Sequence, residues 1–250
     1  MAVIYPFGEG VVEKVVFEFL ASTVFKENKF QRFNISGGKR RLRAKIIDTV
    51  KSNIDAKRDE IRIIVFRDLD DGETMDSISQ SFSRIVDELL ESWGVRPKKI
   101  EVDPSIHKWE ISHSLESPGF KFVLHIARAD NMAVSIRNQT TDAYVLRLGL
   151  SENVLRRFAD DRKVKSNYET LNELITISIP NLITNNGITF DEDKDYLAAY
   201  LVVTRFWAVK RTEEQARLIR IILERGWKHN RGEFEQIFKS WIQAIKEVVR

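Results

Sequence analysis

The chain has 250 residues, with 40 Lys and Arg against 37 Asp and Glu, four histidines and no cysteine. Disulfides, thiolate metal sites, iron–sulfur clusters and thiol nucleophiles are therefore excluded, and a metal would have to be held by oxygen or imidazole. A hydrophobic content of 43% beside 31% charged residues suits a folded protein with a charged surface rather than a disordered chain, while a net charge of +3 does not by itself announce a nucleic-acid partner.

No run approaches the ~18 apolar residues of a membrane span. The opening MAVIYPFGEG has neither the basic nor the long apolar region of a secretory signal, so the expected location is cytoplasmic, with no membrane partner. Val3 to Tyr5 predicts a short strand. Gly8-Glu9-Gly10 interrupts it, and Val12, Val15, Val16, Phe19 and Leu20 follow at helical spacing. A second unit starts with a strand over Phe30 to Ile35, turns at Ser36-Gly37-Gly38, and continues as a helix with Leu42, Ile46, Ile47, Val50 and Ile54 on its apolar face. The third unit has the strongest strand, Ile61 to Phe66, whose near-continuous apolar run suits a strand covered on both faces. It ends at Arg67-Asp68-Leu69-Asp70-Asp71-Gly72. The next helix carries Met75, Ile78, Phe82, Ile85, Val86, Leu89 and Trp93, and Gly94 closes it.

Three strand-then-helix units in succession predict an α/β fold with a mainly parallel, Rossmann-like sheet flanked by helices. Ile100 to Val102 adds a candidate strand, and Trp109 to Ser112 with Phe120 to Ala127 predict a hairpin or an edge extension around Ser117-Pro118-Gly119. From about Ser151 the pattern becomes helical. Tyr196, Leu197, Tyr200, Leu201, Phe206 and Trp207 form one apolar face, and Phe234, Ile237, Phe238, Trp241, Ile242, Ile245 and Val249 form a stripe. The expected organisation is an α/β domain over residues 1–150 and a helical domain over residues 151–250.

In a parallel sheet the ligand site lies at the carboxyl ends of the strands, where both acidic turns fall. Residues two apart on an extended chain point the same way, so Asp68 and Asp70 can address one ion while Leu69 faces the core. Hard oxygen ligands of this kind suit Mg²⁺, which keeps several waters and shares substrate phosphate. Glu9-Gly10-Val11-Val12-Glu13 resembles the EGxxD/E turn of Toprim domains, and Asp68-Leu69-Asp70 resembles their DxD, in the same order and after the same kind of strands. The resemblance covers about the first 105 residues and is of the OLD-family and RNase M5-like nuclease type. It implies Mg²⁺- or Mn²⁺-dependent phosphodiester hydrolysis of DNA or RNA, with Glu9 as general acid/base or ligand and Asp68 and Asp70 as metal ligands. Pro6-Phe7-Gly8 departs from the apolar strand that normally enters the turn.

The same residues have plainer roles open to them. Glu9 and Glu13 could complement a helix dipole, and Asp68, Asp70, Asp71 and Gly72 could form an ordinary turn and cap. Lys39, Arg40 and Arg41 after Gly37-Gly38 suit either a nucleic-acid backbone or a solvated helix face. The basic cluster of Arg156, Arg157, Arg162, Lys163 and Lys165 is diluted by Asp160 and Asp161. His125 is expected to be a core or edge-strand histidine rather than a catalyst, and His107 and His113 have no recognised partner. Asp103 is a further candidate acid, and Asp191 to Asp195 is expected to start a helix. No ATPase motif is present, so energy coupling of the OLD type would need a separate protein partner. A non-catalytic nucleic-acid-binding or assembly protein on a Toprim scaffold is the alternative expectation.

Overall fold

A computed structural model describes residues 3–55, 60–112, 119–128, 134, 140–161, 167–204 and 211–250. The chain divides into two compact units, Met1–Ala127 with Lys239–Arg250, and Arg128–Phe238. The division does not fall at residue 150. Residues 128–150 belong with the helical unit, and the last twelve residues return to the sheet.

The first unit is α/β. Among the described residues it holds six strands, β1 (Val3–Gly8), β2 (Asn34–Ile35), β3 (Ile61–Arg67), β4 (Lys98–Asp103), β5 (Ile106–Ile111) and β6 (Phe120–Ile126), in the order β2-β1-β3-β6-β5-β4. Pairs β2–β1, β1–β3 and β3–β6 are parallel, and β5 joins β6 and β4 antiparallel. The predicted strand–helix units and the hairpin partner of β6 are thus present. The tip of that hairpin at Ser117-Pro118, and His113, lie outside the described residues. The second predicted strand is shorter than expected, because only Asn34 and Ile35 continue the ladder and Phe30 touches it through a single bridge to Ile4.

Alternation along β3 assigns its two faces. Ile63 and Val65 are fully buried with Phe7 against Leu42, Ile46 and Val50 of α2 (Lys39–Asp55) and Ile78, Phe82 and Val86 of α3 (Met75–Leu90). The indole of Trp93 donates to the Ile54 carbonyl at 2.9 Å and joins the ends of these two helices. Gly94 then leaves with φ +65°, the left-handed value that favours glycine at a helix end.

The opposite face carries α1 (Val11–Thr23) and α11 (Lys239–Val249). Phe66 meets Phe17 of α1 at a tilt, 5.7 Å between ring centroids, and lies nearly parallel to Trp241 of α11 at 4.1 Å. Arg62 donates to the carbonyls of Val248 and Val249, placing a cation where the helix dipole favours one. Lys108 pairs with Glu247 at 3.2 Å. Together these contacts explain why the terminal helix belongs to the α/β unit. The apolar stripe from Phe234 to Val249 is therefore not one continuous helix: α10 (Arg231–Ile237) ends at Phe238, and the chain resumes as α11.

The second unit is helical, with α4 (Thr141–Gly149), α5 (Glu152–Asp161), α6 (Tyr168–Glu173), α7 (Ile179–Thr184), α8 (Asp193–Val203), α9 (Arg211–His229) and α10. Tyr200 is fully buried and donates to the Gly149 carbonyl at 3.1 Å. Asp195 accepts from the amides of Asp191 and Glu192, so that acidic run caps α8 as its position at a helix start predicts. Trp227 meets Phe234 edge-on at 5.4 Å. Phe206, Trp207, Arg162, Lys163 and Lys165 lie outside the described residues. No described helix is long and apolar enough to cross a membrane.

Candidate functional site

The parallel register of β1 and β3 sets Phe7 beside Val65, so both chains leave the sheet at the same edge, two residues before Glu9 and Arg67. Gly8 allows this exit because a Cβ there would lie 2.7 Å from the Phe33 ring. Glu13, only 3% exposed, accepts the Gly10 amide at 2.9 Å and closes the first turn of α1. That is its plainer role, dictated by the orphan amides of a helix start. Gly37 and Gly38, at φ +72° and +116°, fold their amides onto the Glu9 carbonyl at 3.1 and 3.3 Å. These two N–H groups thus hold the Glu9 turn. Engaged with the Glu9 carbonyl, they are not donors for a phosphate.

Arg67 is the residue that the sequence did not assign. It follows Ile63 and Val65 on their buried face, and its guanidinium, 5% exposed, must find acceptors because a buried cation without partners is costly. Nη1 donates to Glu9 Oε1 at 2.5 Å and to the Asp68 carbonyl. Nη2 donates to both Glu73 oxygens at 2.9 and 2.7 Å, with Asp70 Oδ2 at 3.7 Å. Lys39 adds a second cation, bridging Asp70 at 3.0 Å and Glu73 at 3.3 Å. Glu73, three residues after Asp70, was also unassigned, although a buried Arg at the end of an apolar strand is itself a signal that nearby carboxylates must converge on it.

Glu9, Asp68 and Asp70 are therefore brought to one edge. Burial pushes the Glu9 carboxyl up, Arg67 opposes this, and the charges of Asp68 and Asp70 add to the rise. As the side chains stand, Glu9, Asp70 and Glu73 turn toward Arg67 and Lys39, and among the described residues no group of three or more acids and histidines is gathered as a metal cage. Charge and donor chemistry nevertheless fit a hard divalent cation. Glu9, Asp70 and Glu73 share Arg67 and Lys39, Asp68 acts on Glu9 from the same edge, and Lys39, with 47% of its side chain exposed, can leave without disturbing the core.

Of the predicted basic block, Lys39 is thus engaged with the carboxylates, while Arg40 and Arg41 are exposed on the first turn of α2. Arg43 pairs with Glu88. Asp103 is a turn residue: burial raises its carboxyl, but hydrogen bonds from the Ser105 amide and hydroxyl prevail and hold it below the usual range. His125 is in the core as expected, fully buried beside Ser240 at 3.0 Å, with burial pushing its pKa down to about 3. His107 is buried on β5, and burial also lowers its pKa.

Comparison with protein-family models, with curated proteins and with solved structures finds no match for this chain.

The raised Glu9 pKa has a defined consequence in metal-free protein. Because the native state holds this proton more tightly than the unfolded chain, Glu9 favours the fold at low pH and loses that contribution as pH rises from about 4.5 through its higher native pKa. The stability of wild type relative to Glu9→Gln is expected to fall across that window and then level. Parallel urea titrations of both proteins at stepped pH in EDTA check it, and a difference that rises with pH would show that Arg67 dominates the Glu9 environment instead.

Proposed function

We propose that this chain is a divalent-metal-dependent phosphodiester hydrolase acting on nucleic acid, using the carboxylates at the ends of β1 and β3. The observation that carries the reading is the convergence of Glu9, Asp68, Asp70 and Glu73 at the edge where a parallel sheet presents its ligands. The Toprim resemblance of Glu9-Gly10 and Asp68-Leu69-Asp70 supports it, since it names the same three acids. Asp68 and Asp70 would hold Mg²⁺ or Mn²⁺, with Glu9 as a further ligand or as the acid/base. When bound, the ion supplies charge neutralisation at the scissile phosphate and a more acidic water.

The protein's own groups supply the rest. Arg67 keeps Glu9 and Glu73 fixed from beneath, so the carboxylates do not collapse outward by mutual repulsion. Glu9, with its proton affinity raised by burial, is suited to exchange a proton with water or the leaving oxygen. Lys39 on its long stem can exchange Asp70 and Glu73 for a phosphate oxygen.

A second reading rests on the same network. Arg67 and Lys39 already give Glu9, Asp70 and Glu73 close partners, which would suffice for a non-catalytic nucleic-acid-binding protein. The two are separated by adding Mg²⁺ or Mn²⁺ to purified protein with single- and double-stranded DNA and RNA. The hydrolase is expected to melt higher with the ion, by mass action, and to cleave at least one substrate only when the ion is present. Neither a metal-dependent thermal shift nor cleavage of any of the four would leave the binding protein.

A further inference from the structure

A groove of about 270 Å³ opens between α2 and α3 beside the carboxylate edge. Its lining has three parts. Lys39, Arg40 and Arg43 on α2 provide cations, Ser77 and Ser81 on α3 provide exposed hydroxyls, and Leu42, Ile78, Phe82 and Ile85 close the floor with apolar side chains. Arg67 and Glu73 form the end nearest the acidic cluster, so the groove runs directly into that cluster.

The geometry points to this groove as the seat of a single nucleic-acid strand, holding about one nucleotide next to the carboxylates, with its phosphate on Lys39, Arg40 and Arg43. This rests on the hydrolase reading for the polymer's identity and goes beyond it by naming the strand form that enters. Two arguments select the occupant. The lining sets Lys39, Arg40, Arg43 and Arg67 against Glu73, which complements a phosphodiester backbone once Lys39 and Arg43 exchange Asp70, Glu73 and Glu88 for phosphate, while the exposed Ser81 hydroxyl can donate to its oxygens. The volume, at the small end of the roughly 300–1,000 Å³ typical of ligand pockets, matches a single nucleotide unit rather than an extended surface.

The test measures binding in EDTA, where hydrolysis plays no part. Fluorescence anisotropy is read with labelled single strands of DNA and RNA of about 12 nucleotides, within the length that single-strand binders typically cover, and with the same sequence as a blunt duplex. Wild type is expected to bind one or both single strands at least about tenfold more tightly than the duplex, because only the strand form reaches all the rim cations. Ser81→Trp fills the groove from an exposed helix position and is expected to remove that preference. Arg40→Glu is expected to weaken single-strand binding and lower the salt slope of log K by about one. Circular dichroism melts of both variants establish that they remain folded. Equal affinity for strand and duplex, or a folded Ser81→Trp that keeps the full preference, would overturn the groove. Its failure is distinguishable from that of the hydrolase reading: binding as stated without metal-dependent cleavage removes the hydrolase and keeps the groove, and cleavage with unaltered Ser81→Trp binding does the reverse.

Discussion

Asp68→Asn and Asp70→Asn are each expected to lower Mg²⁺-dependent cleavage by more than about 100-fold, since groups one shell further from a metal already cost about 10–100-fold when removed. The amide keeps the shape of the carboxylate and removes only its charge, so the fold should survive. Asp68 and Asp70 both raise the Glu9 proton affinity, and removing either charge relieves repulsion in the metal-free protein. The expected pattern is an unchanged or higher melting temperature in EDTA together with a smaller rise on adding Mg²⁺. The two variants are not equivalent. Asp70 accepts from Lys39 and lies 3.7 Å from Arg67, so Asp70→Asn also releases Lys39, whereas Asp68→Asn leaves that pair in place. Melting and cleavage measured side by side at stepped Mg²⁺ check both. Full cleavage by Asp68→Asn would remove it from the ligand set.

Arg67→Met should be the most destabilising single change at this site. Removing one partner of a buried ion pair costs about 3–5 kcal/mol, because the remaining charges lose their compensation. Here about 3 kcal/mol is expected, at the lower end of that range, since Glu73 and Asp70 reach solvent and can be rehydrated. Arg67→Lys should recover only part of this, because an ammonium cannot donate to Glu9, the Asp68 carbonyl and both Glu73 oxygens at once. The distinguishing result concerns metal. With its internal cation gone, the cluster carries one more uncompensated negative charge, so Mg²⁺ should stabilise Arg67→Met more than wild type. Urea unfolding at zero and saturating Mg²⁺ measures both quantities. If Mg²⁺ gives no greater stabilisation in the variant, Arg67 and the ion do not share the same carboxylates.

The sequence by itself determined the elements whose signal is local. Near-continuous apolar residues from Ile61 to Phe66 predict a strand buried on both faces, and the structure places Ile63 and Val65 against α2 and α3 and Ile64 and Phe66 in the opposite layer. Three strand–helix units predicted parallel neighbours, and that rule alone was enough to bring Glu9 and Asp68 to one edge. The role of Glu13 was equally local, since its own helix start supplies the amide it accepts.

Tertiary structure decided whatever depends on residues far apart in the chain. Periodicity drew Phe234 to Val249 as one stripe, but an apolar stripe does not name the surface it meets; Trp241 on Phe66, together with Arg62 at the last carbonyls, sends α11 back to the sheet. The boundary near residue 150 failed for the same reason, because a change of pattern marks where helices begin and not which unit they pack with. The acidic turns were legible as acids, but what compensates them was not. Arg67 sits in sequence beside Asp68, yet its partners Glu9 and Glu73 come from the end of β1 and the start of α3, and Lys39 arrives from α2. Charge pairing acts through space over a few ångströms, so only the folded sheet edge could show that the carboxylates gather around a buried guanidinium.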